Sequence, residues 1–259
     1  MQETAYAKLN LALHVRGREA DGYHRIETVF AFCEDGDVLF GRESERPALE
    51  LSGPFARELS AEPDNLVLRA AAMLGAHVAF SLDKRLPIAS GLGGGSADAA
   101  AALRLIARMR GLAYEDVFGF AAAIGADVPA CFFSQSARGE GRGDALEPLD
   151  EDLAGTPVLL VNPRRPLSTA AVFAAWDGQD RGPLADWRDG RNDLEAAAIA
   201  LVPEIRDVLD ALAGGPIARM SGSGATCFGL FESEADRDRA AAEIAASHPG
   251  WWLSQTRLR

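Results

Sequence analysis

Short apolar runs and segments with apolar residues at helical spacing alternate along the first part of the chain. The partly alternating runs predict strands of an early sheet at residues 5–15, 26–32 and 37–40. The helical spacing predicts helices over residues 64–73, 97–110 and 115–124. The first helix would start at Asp64 and Asn65, which are capping residue types, and the third would end in a left-handed cap at Gly125.

A second pattern of elements begins near residue 155. It predicts strands at residues 157–161 and 251–256, two short strands within 218–231, and helices at 168–176, 194–212 and 234–246. Strands and helices that alternate without strict β-α-β order favour an α+β fold over a doubly wound sheet. We therefore predict two domains, at residues 1–154 and 155–259. Residues 176–191, rich in Asp, Gly and Arg, predict a mobile surface loop.

Composition and charge narrow the class of protein. The 259 residues are 48% hydrophobic and 25% charged, as in globular proteins. The formal net charge of −12 argues against general binding to nucleic acid or to an anionic membrane, since both need a cationic surface. No apolar run reaches the length of about 20 residues that spans a bilayer, and the N-terminus has no secretion signal. Widely spaced Cys33, Cys131 and Cys227 favour buried thiols in the cytoplasm.

A glycine-rich loop before the second predicted helix carries the strongest chemical signal. It reads Gly91-Leu92-Gly93-Gly94-Gly95-Ser96. Glycines let the backbone approach an anion, and the N–H groups of a helix start favour phosphate. The loop matches neither the P-loop nor the dinucleotide-binding fingerprint, and a glycine-rich turn without a ligand stays open as the alternative. Asp98 would repel phosphate, so its carboxylate should point away from the loop.

Together with the stretch from Pro87 to Ala100, four further segments carry a resemblance to a known family. They are Ala7-Lys8-Leu9-Asn10-Leu11, Asp21-Gly22-Tyr23-His24, Gly125-Ala126-Asp127-Val128-Pro129 and Ser221-Gly222-Ser223-Gly224-Ala225. In this order they resemble the GHMP kinases, the family of galactokinase, homoserine kinase, mevalonate kinase and phosphomevalonate kinase. The resemblance implies a two-domain α+β fold, with an N-terminal domain like domain 2 of ribosomal protein S5 and a C-terminal ferredoxin-like domain.

The resemblance is to the branch that phosphorylates the 2-hydroxyl group of 4-diphosphocytidyl-2-C-methyl-D-erythritol in non-mevalonate isoprenoid synthesis. It implies Asp127 as the base that accepts the hydroxyl proton and Lys8 as the cation that offsets charge on the transferred phosphoryl group. These residue types suit phosphoryl transfer. From the residues alone, Asp127 as a turn carboxylate and Lys8 as a solvated strand residue stay open.

The resemblance also implies two sets of binding residues. ATP would contact Asn65, Lys84, Pro87, Gly91, Leu92, Gly93, Gly94, Gly95 and Ser96. The cytidine-bearing substrate would contact Asn10, Tyr23, His24, Thr169, Gly222, Ser223 and Gly224. A stacking ring beside polar groups suits a pyrimidine, which has a flat face and a polar edge. Mg²⁺ is expected with ATP, and Ser96 is its candidate ligand.

Two other functions stay open from the sequence. One is a GHMP kinase for a small alcohol such as mevalonate or homoserine, which would have no base to stack on the segment from Asp21 to His24. The other is a nucleotide-binding regulator without catalysis, which would have no reason to retain both Lys8 and Asp127. The expected partner is the small-molecule substrate, and the protein is expected to be a monomer or a homodimer.

Overall fold

The computed structural model describes residues 1–259 and contains ten strands and nine α-helices. The strands are β1 (Gln2–Arg18), β2 (His24–Glu43), β3 (Ala48–Ser52), β4 (Val78–Asp83), β5 (Ala137–Gly141), β6 (Ala145–Pro148), β7 (Pro157–Asn162), β8 (Ile217–Met220), β9 (Cys227–Leu230) and β10 (Trp252–Arg257). The helices are α1 (Leu66–Met73), α2 (Gly94–Arg110), α3 (Tyr114–Phe118), α4 (Ala121–Ile124), α5 (Val128–Phe133), α6 (Thr169–Ala174), α7 (Glu195–Leu201), α8 (Glu204–Leu212) and α9 (Glu234–Ser247). None of these helices combines the length and the apolar character that crossing a bilayer requires.

The chain forms two compact units, and each is assembled from separated segments. The first unit consists of Met1–Lys8, Asp35–Ile88 and Gly93–Ser134. The second consists of Leu9–Glu34, Ala89–Leu92 and Gln135–Arg259. The mixed strands and helices confirm the α+β class, whereas the boundary between residues 154 and 155 stays a prediction.

In the first unit, a small sheet and a buried helix position the glycine loop. β3 pairs in parallel with β4, and β4 pairs antiparallel with the second half of β2. α2 begins directly after Gly93 and contacts α1 and α5. Residues 97–107 of α2 are all buried, and their small alanines allow neighbouring helices to approach closely. The start of α2 is therefore held on a rigid, fully packed helix.

The second unit contains a four-stranded antiparallel sheet in the order β10-β7-β9-β8. α8 and α9 contact this sheet, and their buried residues belong to one hydrophobic core. Leu13 and Val15 of β1 and Ile26 of β2 lie in the same core. The first half of β2 pairs with β5, and β5 pairs with β6. Segments from both ends of the chain thus complete one core.

The segments predicted as strand at residues 26–32 and 37–40 are both extended and belong to one continuous strand, β2. At Gly36, between them, a Cβ atom would lie 2.0 Å from the carbonyl oxygen of Ala5, so the glycine permits a close approach of strands. One local expectation is wrong. The helix predicted over residues 115–124 is divided into α3 and α4 around Gly119, and Gly125 has φ 179°, so it forms no left-handed cap.

Most other predicted elements occur near their expected positions. Pro203 separates α7 from α8, and β8 and β9 flank the second glycine loop. The short strands β3, β4, β5 and β6 and the short helix α5 were not predicted. Residues 176–191 contain no helix or strand, but the Leu184 amide donates to Glu27 Oε2 at 2.6 Å and Trp187 is 7% exposed. The mobility of this loop stays a prediction.

Candidate active site

Lys8 and Asp127 form an ion pair in the first unit. Lys8 Nζ lies 3.3 Å from Asp127 Oδ2. Lys8 is on β1, and its side chain is only 4% exposed, whereas that of Asp127 is 37% exposed. Asp127 occupies the N-cap position of α5, but its carboxylate makes no capping hydrogen bond. The carboxylate is therefore available to a group arriving from solvent, which argues against the role of a turn carboxylate.

Gly93 brings the phosphate-loop candidate against this pair. It has φ +64°, and a Cβ atom there would lie 3.0 Å from Lys8 Cε. A side chain would be strained in this conformation and would also press on the lysine. Gly93 caps α2 without a side-chain hydrogen bond, so the N–H groups of Gly94, Gly95 and Ser96 at the first turn lack helical acceptors. Free N–H groups at a helix start favour an anion, and binding of the ATP phosphates at this position stays a prediction.

Lys84 lies beneath the same loop and is fully engaged with two carboxylates. Its Nζ donates to Asp37 Oδ2 at 2.5 Å and to Asp98 Oδ2 at 2.7 Å, and a Cβ atom on Gly94 would lie 3.0 Å from it. Burial raises the pKa of Asp98 to about 7, against the lowering effect of Lys84. Burial disfavours the Lys84 ammonium, but the charges of Asp98 and Asp37 outweigh it and raise its pKa. The Asp98 carboxylate thus faces Lys84, and the ammonium supports the loop from below.

Asn65, another predicted ATP contact, lies at the start of a helix that approaches the glycine loop. Asn65 caps α1, because its Oδ1 accepts from the Val67 amide at 3.0 Å. The next residue, Leu66, would lie 3.6 Å from a Cβ atom on Gly95, so α1 approaches the loop. Pro87 is buried. The role of a helix cap for Asn65 is confirmed, and its contact with adenine stays a prediction.

Arg104, which the sequence analysis did not single out, links the elements that carry Lys8 and Asp127. Its Nη1 donates to the carbonyl oxygen of Cys131 at 2.8 Å, at the end of α5. Its Nη2 donates to the carbonyl oxygen of Thr4 on β1 at 2.8 Å. Arg104 lies in the middle of α2 among buried apolar residues, and this position was the available signal, since a buried charge needs partners.

The second glycine loop, residues 221–224, is fixed by a buried polar network in the second unit. Ser221 Oγ donates to the carbonyl oxygen of Gly91 at 2.9 Å and accepts from the Asn10 amide at 3.2 Å. A Cβ atom on Gly222 would lie 3.2 Å from Asn10 Oδ1. Asn192, absent from the predicted set, donates from Nδ2 to the carbonyl oxygens of Met220 and Gly222 at 2.8 and 2.7 Å. The predicted residues Asn10, Gly91 and Gly222 therefore lie together.

Thr169 also lies against this loop. Its Oγ1 is 2.9 Å from Ser223 Oγ, and it is the first residue of α6, which Ser168 caps. Gly224, with φ +82°, is packed against Met220 and Leu167. The weakest of the sequence matches is thus placed beside the second glycine loop.

His24, the first residue of β2, belongs to an aromatic cluster. Its ring centroid lies 4.9 Å from that of Phe173 and 5.6 Å from that of Trp176, which lie on and just after α6. Burial lowers the pKa of His24, and the nearby charge of Arg18 lowers it further. The preceding Tyr23 is 55% exposed. Flat rings beside a neutral imidazole suit a heterocyclic base. Phe173 and Trp176 were not predicted as site residues, because aromatic residues at helical spacing usually belong to a hydrophobic core.

The family models of GHMP kinases match both parts of the chain. The model of the GHMP kinases N terminal domain matches residues 65–135, and that of the GHMP kinases C terminal matches residues 177–250. The first match includes the glycine loop and Asp127, and the second includes the second glycine loop.

Full-length relatives are similar to this chain. A protein of Rhizorhabdus wittichii named 4-diphosphocytidyl-2-C-methyl-D-erythritol kinase is 56% identical, over 99% of this chain and 94% of its own length. A protein of Erythrobacter litoralis with the same name is 53% identical over 96% of both chains. A crystal structure of 4-(cytidine 5'-diphospho)-2C-methyl-D-erythritol kinase has a TM-score of 0.81 at 33% identity and covers 99% of both chains. The homoserine kinase of Cytophaga hutchinsonii, with a TM-score of 0.71 at 18% identity over 98% of this chain and 95% of its own, shares the fold.

Proposed function

The chain belongs to the GHMP kinase family, and we propose that it transfers the γ-phosphoryl group of ATP to the 2-hydroxyl group of 4-diphosphocytidyl-2-C-methyl-D-erythritol. The products are ADP and the 2-phosphate, in the non-mevalonate route to isoprenoid precursors. Relatives that are more than half identical over nearly the whole chain carry the name of this kinase.

The observation that carries the kinase chemistry is the Lys8–Asp127 pair beside the glycine loop. The carboxylate and the ammonium are 3.3 Å apart, and the lysine stem touches the position of Gly93. A base, a cation and a row of backbone N–H donors are what an in-line phosphoryl transfer needs, because catalysis is mostly positioning and charge stabilisation.

In the proposed reaction, Asp127 orients the 2-hydroxyl group and accepts its proton as the oxygen attacks the γ-phosphorus. The bond between that phosphorus and the ADP oxygen breaks, and ADP leaves. Lys8 offsets the negative charge that spreads over the transferred group, and the N–H groups of Gly94, Gly95 and Ser96 hold the phosphates. The ammonium of Lys84 is already paired with the carboxylates of Asp37 and Asp98. We therefore assign Lys84 the role of stabilising the loop and not that of binding phosphate.

Mg²⁺ is part of the proposal, and the residues present fit it. The protein has no group of three or more His, Cys, Asp or Glu that could hold a metal ion. Mg²⁺ in kinases keeps several waters and binds mainly to the substrate phosphates, so few protein ligands are needed. Ser96, partly exposed in the first turn of α2, is the proposed protein ligand. The ion would neutralise triphosphate charge.

The cytidine end of the substrate is proposed to bind at the exposed Tyr23 and the His24 cluster. A tyrosine ring stacks on a pyrimidine face, and a neutral imidazole offers one donor and one acceptor to its polar edge. Asn10, Thr169 and the loop of residues 222–224 would contact the diphosphate and erythritol parts. The contacts that fix the second glycine loop support this part of the proposal.

The small-alcohol alternatives are not favoured. The homoserine kinase is similar at 18% identity, which shows a shared fold alone. A regulator without catalysis would not need the pair of Lys8 and Asp127.

We propose a cytoplasmic location for the reaction, supported by the three buried thiols of Cys33, Cys131 and Cys227.

The direct test is ADP release by the purified protein with Mg-ATP and four acceptors: 4-diphosphocytidyl-2-C-methyl-D-erythritol, mevalonate, homoserine and galactose. We expect turnover with the cytidylyl alcohol alone. Turnover with another acceptor would keep the chemistry of Lys8 and Asp127 but overturn the substrate. ATP binding without turnover of any acceptor would favour a regulator.

A further inference from the structure

The turn that carries Tyr23 is fixed by its own backbone and faces the hairpin of β5 and β6. The amide of Glu19 donates to the carbonyl oxygen of Tyr23 at 2.7 Å, and the amide of Tyr23 donates to Asp21 Oδ1 at 3.1 Å. β2 pairs with β5 so that Ile26 lies opposite Gly141. This register places Arg142, the next residue after β5, beside the turn.

Arg142 holds this turn from the side with one guanidinium group. Its Nη2 donates to Glu19 Oε2 at 2.7 Å, and its Nε donates to the same oxygen at 3.2 Å. Nη2 also donates to Asp21 Oδ2. Its Cζ atom lies 4.1 Å from the centroid of the Tyr23 ring. One arginine therefore contacts the two acids of the turn and the aromatic ring that follows them.

These contacts have two consequences for an anionic ligand that stacks on Tyr23. The guanidinium covers one face of the ring, so the exposed surface of Tyr23 belongs to its other face and edges. It also places a positive charge between Glu19 and Asp21, which would otherwise repel a diphosphate. The hydrogen bonds from the Tyr23 amide and Arg142 lower the pKa of Asp21, so this carboxylate is charged at neutral pH.

We propose that Arg142 is a positioning residue for recognition of the cytidine diphosphate part of the substrate: its guanidinium orients the Tyr23 ring for stacking and neutralises the acids beside it. This inference rests on the proposed function, because it takes the cytidylyl alcohol as the ligand of Tyr23. Arg142 lies outside the set of residues predicted from the sequence. It acts on binding and not on the phosphoryl transfer step.

The test compares Arg142→Ala, Arg142→Lys and Arg142→Gln by steady-state kinetics. We expect Arg142→Ala to raise KM for the cytidylyl alcohol about tenfold, with KM for ATP and kcat nearly unchanged. Arg142→Lys should restore part of this loss, because it keeps the charge but not the planar stack, and Arg142→Gln should resemble the alanine variant. Arg239→Ala, which removes an exposed arginine paired with Asp236 on α9, is the matched control and should leave both KM values unchanged.

A double-mutant cycle with Tyr23→Ala separates positioning from general electrostatics. If Arg142 acts through the ring, removing it from the Tyr23→Ala protein should raise KM by much less than tenfold. Fully additive effects would overturn the orientation of the ring by Arg142, and an equal rise of both KM values in Arg142→Ala would overturn the proposal as a whole. The unaltered protein tests the proposed function before any variant is compared. If it does not use the cytidylyl alcohol, the proposed function fails; if only the Arg142 variants behave differently from the expectation, the inference about Arg142 fails. Binding of cytidine 5'-diphosphate, measured by calorimetry, should weaken in Arg142→Ala in parallel with KM.

Discussion

Lys8 and Asp127 form an ion pair, but their side chains differ strongly in solvent exposure. The Lys8 side chain is 4% exposed and that of Asp127 is 37% exposed. The lysine is thus fixed by packing on Gly93, while the carboxylate can meet an alcohol from solvent. Arg104 fixes the backbone behind both residues, because it binds the carbonyl oxygens of Thr4 and Cys131. This asymmetry suits a base that must reach its substrate and a cation that must stay in place.

We predict that Asp127→Asn lowers kcat by about 10²- to 10⁴-fold, the usual contribution of a general base. The unfolding free energy should change by roughly 1 kcal/mol, since the carboxylate is partly exposed and caps no helix. Measuring kcat together with urea unfolding checks both expectations. Asp210→Asn, at an exposed position of α8, is the control. Near-normal kcat in the Asp127 variant would remove this residue from the role of base.

Residues in short sequence motifs can be identified from the sequence. Residues that stabilise the site by hydrogen bonds to the backbone of distant segments cannot. Lys8, Asp127 and Gly93 belong to short motifs, and the structure brings them together. Arg104 and Asn192 donate to carbonyl oxygens far away along the chain, so their partners cannot be read from neighbouring letters. Only folding creates these contacts, and no local spacing predicts them.

At the scale of elements, the two glycines that flank helix α2 have the same backbone conformation but different surroundings. Gly93 precedes it with φ +64°, and Gly111 follows it with φ +65°. A Cβ atom would lie 3.0 Å from Lys8 Cε at Gly93 but would meet no atom within 4 Å at Gly111. The two positions therefore impose the same backbone strain, and they differ in the contact with the lysine.

We predict that Gly93→Ala and Gly111→Ala destabilise the fold by similar amounts, about 1–2 kcal/mol each from the left-handed conformation. Only Gly93→Ala should also lower kcat and weaken ATP binding, because its methyl group displaces Lys8 and the phosphate loop. Urea unfolding and steady-state kinetics of both variants measure the two effects. An equal loss of kcat in both would mean that activity follows stability and not the loop.

The cluster of Asp37, Lys84 and Asp98 joins β2, the end of β4 and α2, and it should make stability depend on pH. Burial raises the pKa of Asp98 to about 7 from its ordinary value near 3.8. Between these two values the folded protein holds a proton that the unfolded chain has lost. The contribution of the Asp98 proton to the stability of the fold is therefore complete below about pH 3.8 and is lost as the pH rises through about 7.

We predict that titration of Asp98 makes the unfolding free energy of the unaltered protein fall between pH 5 and pH 8 relative to that of Asp98→Asn, since asparagine does not titrate. Urea unfolding at four pH values within this range, for both proteins, measures the slope. Asp116→Asn, at an exposed acid in α3, is the control and should keep the slope of the unaltered protein. Equal slopes in the Asp98 variant and the unaltered protein would contradict the raised pKa.

At the scale of the whole molecule, the path of the chain is harder to predict than its elements. The apolar pattern locates most helices and strands, and the resemblance gives the two-domain α+β fold. The segments predicted at residues 26–32 and 37–40 join into the single strand β2, and Gly36 between them allows a close strand contact that the local pattern does not reveal. The assignment of Leu9–Glu34 to the second unit depends on contacts with residues far along the chain. Such long-range contacts leave little periodic signal.

These contacts lead to a prediction about the fragment of residues 155–259, which begins at the domain boundary expected from the sequence. The fragment keeps the sheet of β7 to β10, but it lacks Leu13, Val15 and Ile26 from the core. It also leaves the Asp193 carboxylate without the Val15 amide and the Arg219 guanidinium without the carbonyl oxygen of Leu11. Loss of apolar burial and of partners for buried polar groups should prevent a cooperative fold.

We expect the isolated fragment to show a broad, non-cooperative urea transition and weak near-ultraviolet circular dichroism. Adding the complementary fragment of residues 1–154 should restore a cooperative transition, because it supplies β1 and the first half of β2. The intact protein is the reference in both measurements. A sharp transition of the fragment alone would show that residues 155–259 fold independently and that Leu9–Glu34 only adds to a core already complete. Restoration by the complement would instead show that the second unit needs strands from the start of the chain.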